Sequence, residues 1–126
     1  AHLMEMPAKL TLDREAYFVV QDIYRGWNRI AAVLAIQLGA YLAALWRWRR
    51  HPALRRPLVV ALLALAAAQA VFWIWTFPAN AATDDWTRIP QDWQQLRAQW
   101  EWSHAAGALL QFTALAAVTV AALRRP

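Results

Sequence analysis

Glu101 and His104 stand three residues apart in "RAQWEWSHAAGALLQF", where a charged, tryptophan-rich segment turns almost purely apolar. On a helix, an i, i+3 carboxylate and imidazole can face one metal ion, or pass a proton between them. His2 and Glu5 repeat the spacing near the start of the chain. Together His2, Glu5, Glu101 and His104 could hold a divalent metal in O/N coordination. The plainer reading pairs Arg97 with Glu101 at i, i+4 and leaves His104 as a hydrogen bonder at a membrane surface. Other chemistries are excluded by what the chain lacks. There is no cysteine, so there is no disulfide, thiolate metal ligand or cysteine nucleophile. Ser103 is the only serine, and no glycine-rich phosphate loop or nucleophile elbow occurs.

The elements that position these residues are apolar. Of 126 residues, 60% are hydrophobic and 17% charged, below the ~25% charged residues of an ordinary soluble domain. Residues 30–46, 58–80 and 105–123 carry no charge. A helix needs about 20 residues to cross the hydrocarbon core. The pattern predicts three spans, near 30–48, 57–77 and 104–123, with outer segments at 7–29 and 79–103. Each span holds one glutamine, Gln37, Gln69 and Gln111, at a similar depth from its outer end. They are expected to bond between helices, or to form the polar floor of an outward-facing cavity.

Charge sets the orientation. Arg47, Arg49, Arg50, Arg55, Arg56, Arg124 and Arg125 fall on one side of these spans with no acid among them. All eight acids fall on the other side, with Lys9 and five arginines. The positive-inside rule makes the loop 47–56 and the C-terminus cytoplasmic, in a multi-pass protein of the inner (plasma) membrane. The net charge of +5 is therefore a topology signal and not a nucleic-acid footprint. The N-terminus is then outside, which implies a further helix upstream, with residues 1–6 as its outer end and Pro7 as its stop. Seven of the nine tryptophans gather near the outer interface: Trp27, Trp73, Trp75, Trp86, Trp93, Trp100 and Trp102. They read either as an aromatic belt or as a flat-ring pocket for an aromatic ligand.

Asp13 is placed to cap a helix from Arg14, with Ala16, Val20, Ile23, Tyr24 and Trp27 at helical spacing and Gly26 as a bend point. Pro57 suits a first helical position. Pro78 and Asn80 should end the second span. Pro90 should open a helix that carries Trp93, Arg97, Trp100, Glu101 and His104 near one face and runs on into the third span. The expected fold is an all-α integral membrane protein, an antiparallel transmembrane helix bundle of three spans, truncated from four, with an extracytoplasmic helical cap.

The outer loop also carries a recognisable pattern. Asn80, Trp86, Pro90, Trp93, Leu96, Arg97, Trp100, Glu101 and His104 stand in the order N…W-x-x-x-P-x-x-W-x-x-L-R-x-x-W-E-x-x-H. This resembles the small bacterial membrane proteins grouped with anthrone oxygenase, and "LDREAYFVVQDIYRGW" resembles the segment before their second helix. The resemblance implies a four-helix membrane bundle and oxidation of a polycyclic phenol by O₂. On this reading Arg97, Glu101 and His104 would handle protons or metal. Asn80, Trp86, Trp93 and Trp100 would hold the ring. The partners would be the lipid bilayer, a hydrophobic aromatic small molecule and a further copy of the chain. The alternative is a non-catalytic membrane protein, a subunit or small-ligand binder, in which the same cluster is structural.

Overall fold

A computed structural model describes residues 2–124; Ala1, Arg125 and Pro126, on which part of the predicted outer tip and the cytoplasmic C-terminus fall, lie outside the described residues. Those residues form helices and turns without a strand. Six α-helices follow one another: α1 His2–Thr11, α2 Arg14–Gln21, α3 Ile30–Arg47, α4 Pro52–Val71, α5 Phe77–Ala82 and α6 Trp93–Leu123. Three helical stretches are long and apolar enough to cross a membrane: Ile30–Arg47, Pro52–Ala82 and Trp93–Leu123. They match the three predicted spans. The chain divides into two compact units, residues 1–28 with 69–108, and residues 29–68 with 109–126.

In the first unit the local rules act as expected at Asp13. Its Oδ1 accepts the Ala16 N–H at 2.8 Å and starts α2, a cap that satisfies one orphan donor of the first turn. The buried face of α2 is Tyr17, Phe18 and Gln21. Val19 and Ile23, by contrast, are exposed. The helix does not run on to Trp27: α2 ends at Gln21, a 3-10 turn covers Asp22–Tyr24, and Gly26 then adopts φ +82°, a left-handed conformation open to glycine. Pro7 does not stop α1. It lies on the exposed side of the helix, while Met6 and Lys9 bury the other; it removes one backbone bond without clashing with a neighbour in the core.

The second span also departs from expectation at both ends. Its helix begins at Pro52, not Pro57, so Pro52 takes the first helical position. At the other end Pro78 does not break the helix. Residues Phe72–Thr76 widen into a π turn, with the Phe77 N–H bonded to the Phe72 carbonyl, and α5 continues beyond it. A π turn absorbs the carbonyl bond that proline cannot make. Gln99 then donates to the Trp75 carbonyl at 2.7 Å.

After α5 the chain turns through Asp84, Asp85 and Trp86, all at positive φ (50°, 51° and 67°). Such a run costs about 1–2 kcal/mol per residue for L-amino acids. Aspartate tolerates it; tryptophan does so only under constraint. Here the Thr83 hydroxyl accepts the Trp86 N–H at 3.1 Å, and the Arg88 N–H reaches the Thr83 carbonyl at 2.9 Å. The turn drives Trp86 into a core with Tyr17, Phe18, Ala79 and Trp100.

The second unit packs differently. Ala61, Ala64 and Ala114 form its buried cluster, with Tyr41, Ala117 and Val118 against it. Small residues let backbones approach closely, which is how apolar helices associate when water gives no drive between them. Large side chains such as Val33, Ile36, Leu63, Phe112 and Leu115 face outward.

Candidate functional site

The residues singled out in the sequence lie in the first unit, and Glu101 is its centre. Its side chain is fully buried, at 0% exposure. Tyr17 donates its hydroxyl to Glu101 Oε1 at 3.1 Å, and Lys9 Nζ stands 3.8 Å from the same oxygen. Oε2 has no hydrogen-bond partner among the described residues. An unpartnered carboxylate oxygen in a buried site is costly, and such a group calls for an explanation.

Lys9 is the buried cation of the site. It lies 3.2 Å from Glu5 Oε2 and donates to the Tyr24 hydroxyl at 2.5 Å, while Tyr24 donates to Glu5 Oε2 at 3.1 Å. Burial works against its charge. The Tyr24 bond and the charge of Glu101 outweigh that, and hold the Lys9 pKa above its ordinary value. Burial raises Tyr17 and Tyr24, so both hydroxyls stay protonated and able to donate. The bond from Lys9 holds the Glu5 carboxyl below its usual range.

Two imidazoles complete the cluster. The rings of His2 and His104 are 4.6 Å apart, and the His104 ring lies 3.7 Å from that of Trp100. His104 Nδ1 is 2.9 Å from the Trp100 carbonyl. That acceptor requires the proton on Nδ1, which leaves Nε2 as the free nitrogen in the neutral ring. Burial, then the Lys9 charge, lower the His2 pKa and favour its neutral form. The two i, i+3 pairs therefore converge, His2 on His104 and Glu5 with Glu101 on Lys9. They do not build a metal shell. Among the described residues no group of three or more His, Asp or Glu is placed to hold a metal ion. The physical reason is Lys9: its ammonium stands between the two carboxylates where a divalent ion would need them.

Arg97 takes a different partner from the one its spacing implied. It does not pair with Glu101. Its Nη1 donates to the Leu12 carbonyl at 2.7 Å, at the end of α1, and its guanidinium lies over the rings of Trp93 (4.8 Å) and Tyr17 (5.4 Å). Cations suit the C-terminal end of a helix, and the planar guanidinium stacks on aromatic faces. Arg97 thereby positions the link between α1 and α2.

The four expected ring-holding residues form a knot. Asn80 Oδ1 accepts from both indoles, Trp86 Nε1 at 3.0 Å and Trp100 Nε1 at 2.8 Å. Both lone pairs of that carbonyl are used. Trp86 and Trp100 are buried, Trp93 is half-buried beneath Arg97, and Trp27, Trp73, Trp75 and Trp102 remain exposed. The tryptophans thus split between core and surface.

Lys9, Tyr17, Gln21 and Tyr24 were not expected as site residues from the sequence. Gln21 Nε2 donates to the Tyr17 hydroxyl, and Gln21 Oε1 has no partner among the described residues. One signal was available. Glu5 and Lys9 are i, i+4, and Tyr17, Gln21 and Tyr24 share one helical face. Comparison with protein-family models, curated proteins and solved structures finds no match to this chain.

Proposed function

We propose that this is a small integral membrane oxidoreductase whose Lys9–Tyr17–Glu101–His104 site oxidises a hydrophobic, hydroxylated polycyclic ketone with O₂. One observation carries the reading: Glu101 Oε2 is buried and has no donor among the described residues, an acceptor left free for a proton. In the step, a proton passes to Glu101 from a ring CH₂ conjugated through the aromatic ring with the ketone, the electron pair left on the substrate goes to O₂, and Glu101 returns the proton to the peroxide. The peroxide formed then loses water to give a new carbonyl, so one O₂ is consumed and one water released. The Lys9 ammonium steadies the developing phenolate, and the rings of Trp100 and Tyr24 supply flat apolar walls. The site faces outward, with residues 47–56 in the cytoplasm.

The test is O₂ uptake by the full chain in lipid vesicles, with a panel of hydroxylated tricyclic ketones. Glu101→Gln should lower the rate by about 10²-fold or more, the usual worth of a positioned base. No uptake by the wild type, or full activity in the variant, overturns the proposal. A second reading keeps the same residues as a lock that pins α1 and α2 to α6. It is favoured by the 0% exposure of Glu101 and by Asn80 tying two indoles. Under it, Glu101→Gln lowers thermal stability and no substrate turns over. Orientation is read by cysteine labelling of intact cells, free of background because the chain has no cysteine. Thr87, exposed in the outer loop, is the better probe than the buried Thr83. A probe at Thr87 should label and one at Ala53 should not.

A further inference from the structure

The second unit carries seven arginines among its described residues, Arg29, Arg47, Arg49, Arg50, Arg55, Arg56 and Arg124, and no acid. No acidic side chain among the described residues of that unit can meet them. Three of them converge. Arg49, Arg55 and Arg56 line a groove of about 530 Å³ together with Leu45, Val59 and Val60. Arg49 is already held. Its Nη1 donates to the Trp46 carbonyl at 2.7 Å, and its guanidinium lies 4.8 Å from the centre of the Trp46 ring. Arg55 and Arg56 are exposed in the first two turns of α4, and among the described residues their side chains make no hydrogen bond or ion pair. One wall of the groove is therefore cationic and donor-rich. The other is aliphatic, on helices long and apolar enough to cross a bilayer.

We propose that this groove is a binding site for an anionic phospholipid, with the headgroup phosphate on Arg49, Arg55 and Arg56 and the first acyl carbons against Leu45, Val59 and Val60. Guanidinium groups bind phosphate oxygens through paired, charge-assisted N–H donors. The helix ends put these arginines at the level where such phosphates lie, and the aliphatic wall selects a lipid over a free anion. Basic residues beside a span ordinarily set topology. The convergence of three on one groove with an apolar side goes beyond that role, since topology needs only their count.

The test uses the full chain, purified in mild detergent, delipidated and titrated with phosphatidylglycerol or phosphatidylcholine while bound lipid is counted by native mass spectrometry. The wild type should retain phosphatidylglycerol at least about tenfold more tightly. Arg55→Gln with Arg56→Gln should weaken that by about thirtyfold, from the usual contribution of a basic side chain near a membrane surface. Arg55→Lys with Arg56→Lys, which keeps the charge but not the paired donors, should fall between. Both variants alter exposed side chains, and a thermal melt matching the wild type confirms their fold. Three results overturn the site. Equal retention of the two lipids leaves the arginines as a topology signal alone. An undiminished preference in the glutamine variant puts the lipid elsewhere. Displacement by millimolar inorganic phosphate makes the groove an anion site with no use for the acyl chain.

Discussion

In the first unit the buried set includes Tyr17, Glu101, Thr83, Trp86 and Trp100; in the second it is Leu54, Leu58, Ala61, Ala64, Leu65 and Ala114, among others. All eight acids of the chain belong to the first, and none to the second. The first is held by directional bonds between large polar and aromatic groups, each with few acceptable partners. The second is held by close contact of small side chains, with the Gln37 amide inside it donating to Gln111 Oε1 and to the Tyr41 hydroxyl, each at 3.1 Å. The contrast teaches where each kind of order is useful. A network of Lys9, Tyr17, Tyr24 and Glu101 fixes the positions of individual polar groups. Alanine packing fixes only that helices lie side by side. The units should therefore fail in different ways when cut.

The largest effect is expected at Lys9. Lys9→Met leaves Glu101 buried without its cation and should destabilise the first unit by about 3–5 kcal/mol. Adding Glu101→Leu should recover much of that loss. Thermal unfolding in detergent across the four members of this double-mutant cycle checks it; additive losses would mean that the two groups act independently.

Next comes the alanine seam. Ala114→Leu forces a large side chain into a site with 0% exposure, which costs about 1–3 kcal/mol. The loss should leave the environment of Trp86 and Trp100 unchanged, as followed by tryptophan fluorescence. A change in that signal would show that the units do not fail separately.

A smaller effect separates the three glutamines. Gln37→Leu and Gln111→Leu break the bond between these two side chains and should each cost about 1 kcal/mol, with Gln37→Leu also losing its bond to the Tyr41 hydroxyl at 3.1 Å. Gln69 has no side-chain hydrogen bond among the described residues, so Gln69→Leu should be neutral or slightly stabilising. Equal losses at all three positions would restore the expectation that they act alike.

The smallest effect is a pH slope. His2 has its pKa lowered below its ordinary 6.5 by burial and by Lys9. The unfolded chain therefore binds the proton more readily. The stability this contributes is present above about pH 6.5 and is lost as pH falls toward the folded value. His2→Gln should flatten the slope of melting temperature between pH 7 and pH 5. An unchanged slope would assign it to other groups, with Glu5 and His104 as the neighbours to replace next.

What the sequence determined by itself was the class of structure and several members of the buried polar cluster. Charge-free runs of span length, a capping Asp13 and a helix that runs from the outer loop into the third span are local facts, set by hydration, chain geometry and hydrogen-bond count. The sequence also placed Glu101 and His104 at one join and His2 and Glu5 near the other end, and these do converge. Partners were decided only by the tertiary structure. Spacing matched Arg97 to Glu101, yet the fold sends Arg97 to the Leu12 carbonyl and brings Lys9 from 92 residues away to Glu101. The same holds for Asn80, whose carbonyl serves Trp86 and Trp100 across separate turns, and for Pro78, where a π turn replaces the expected break. A sequence lists what each side chain can accept or donate. Which offer is taken depends on which groups are desolvated together, because only there does an unmet donor or charge cost enough to choose the fold.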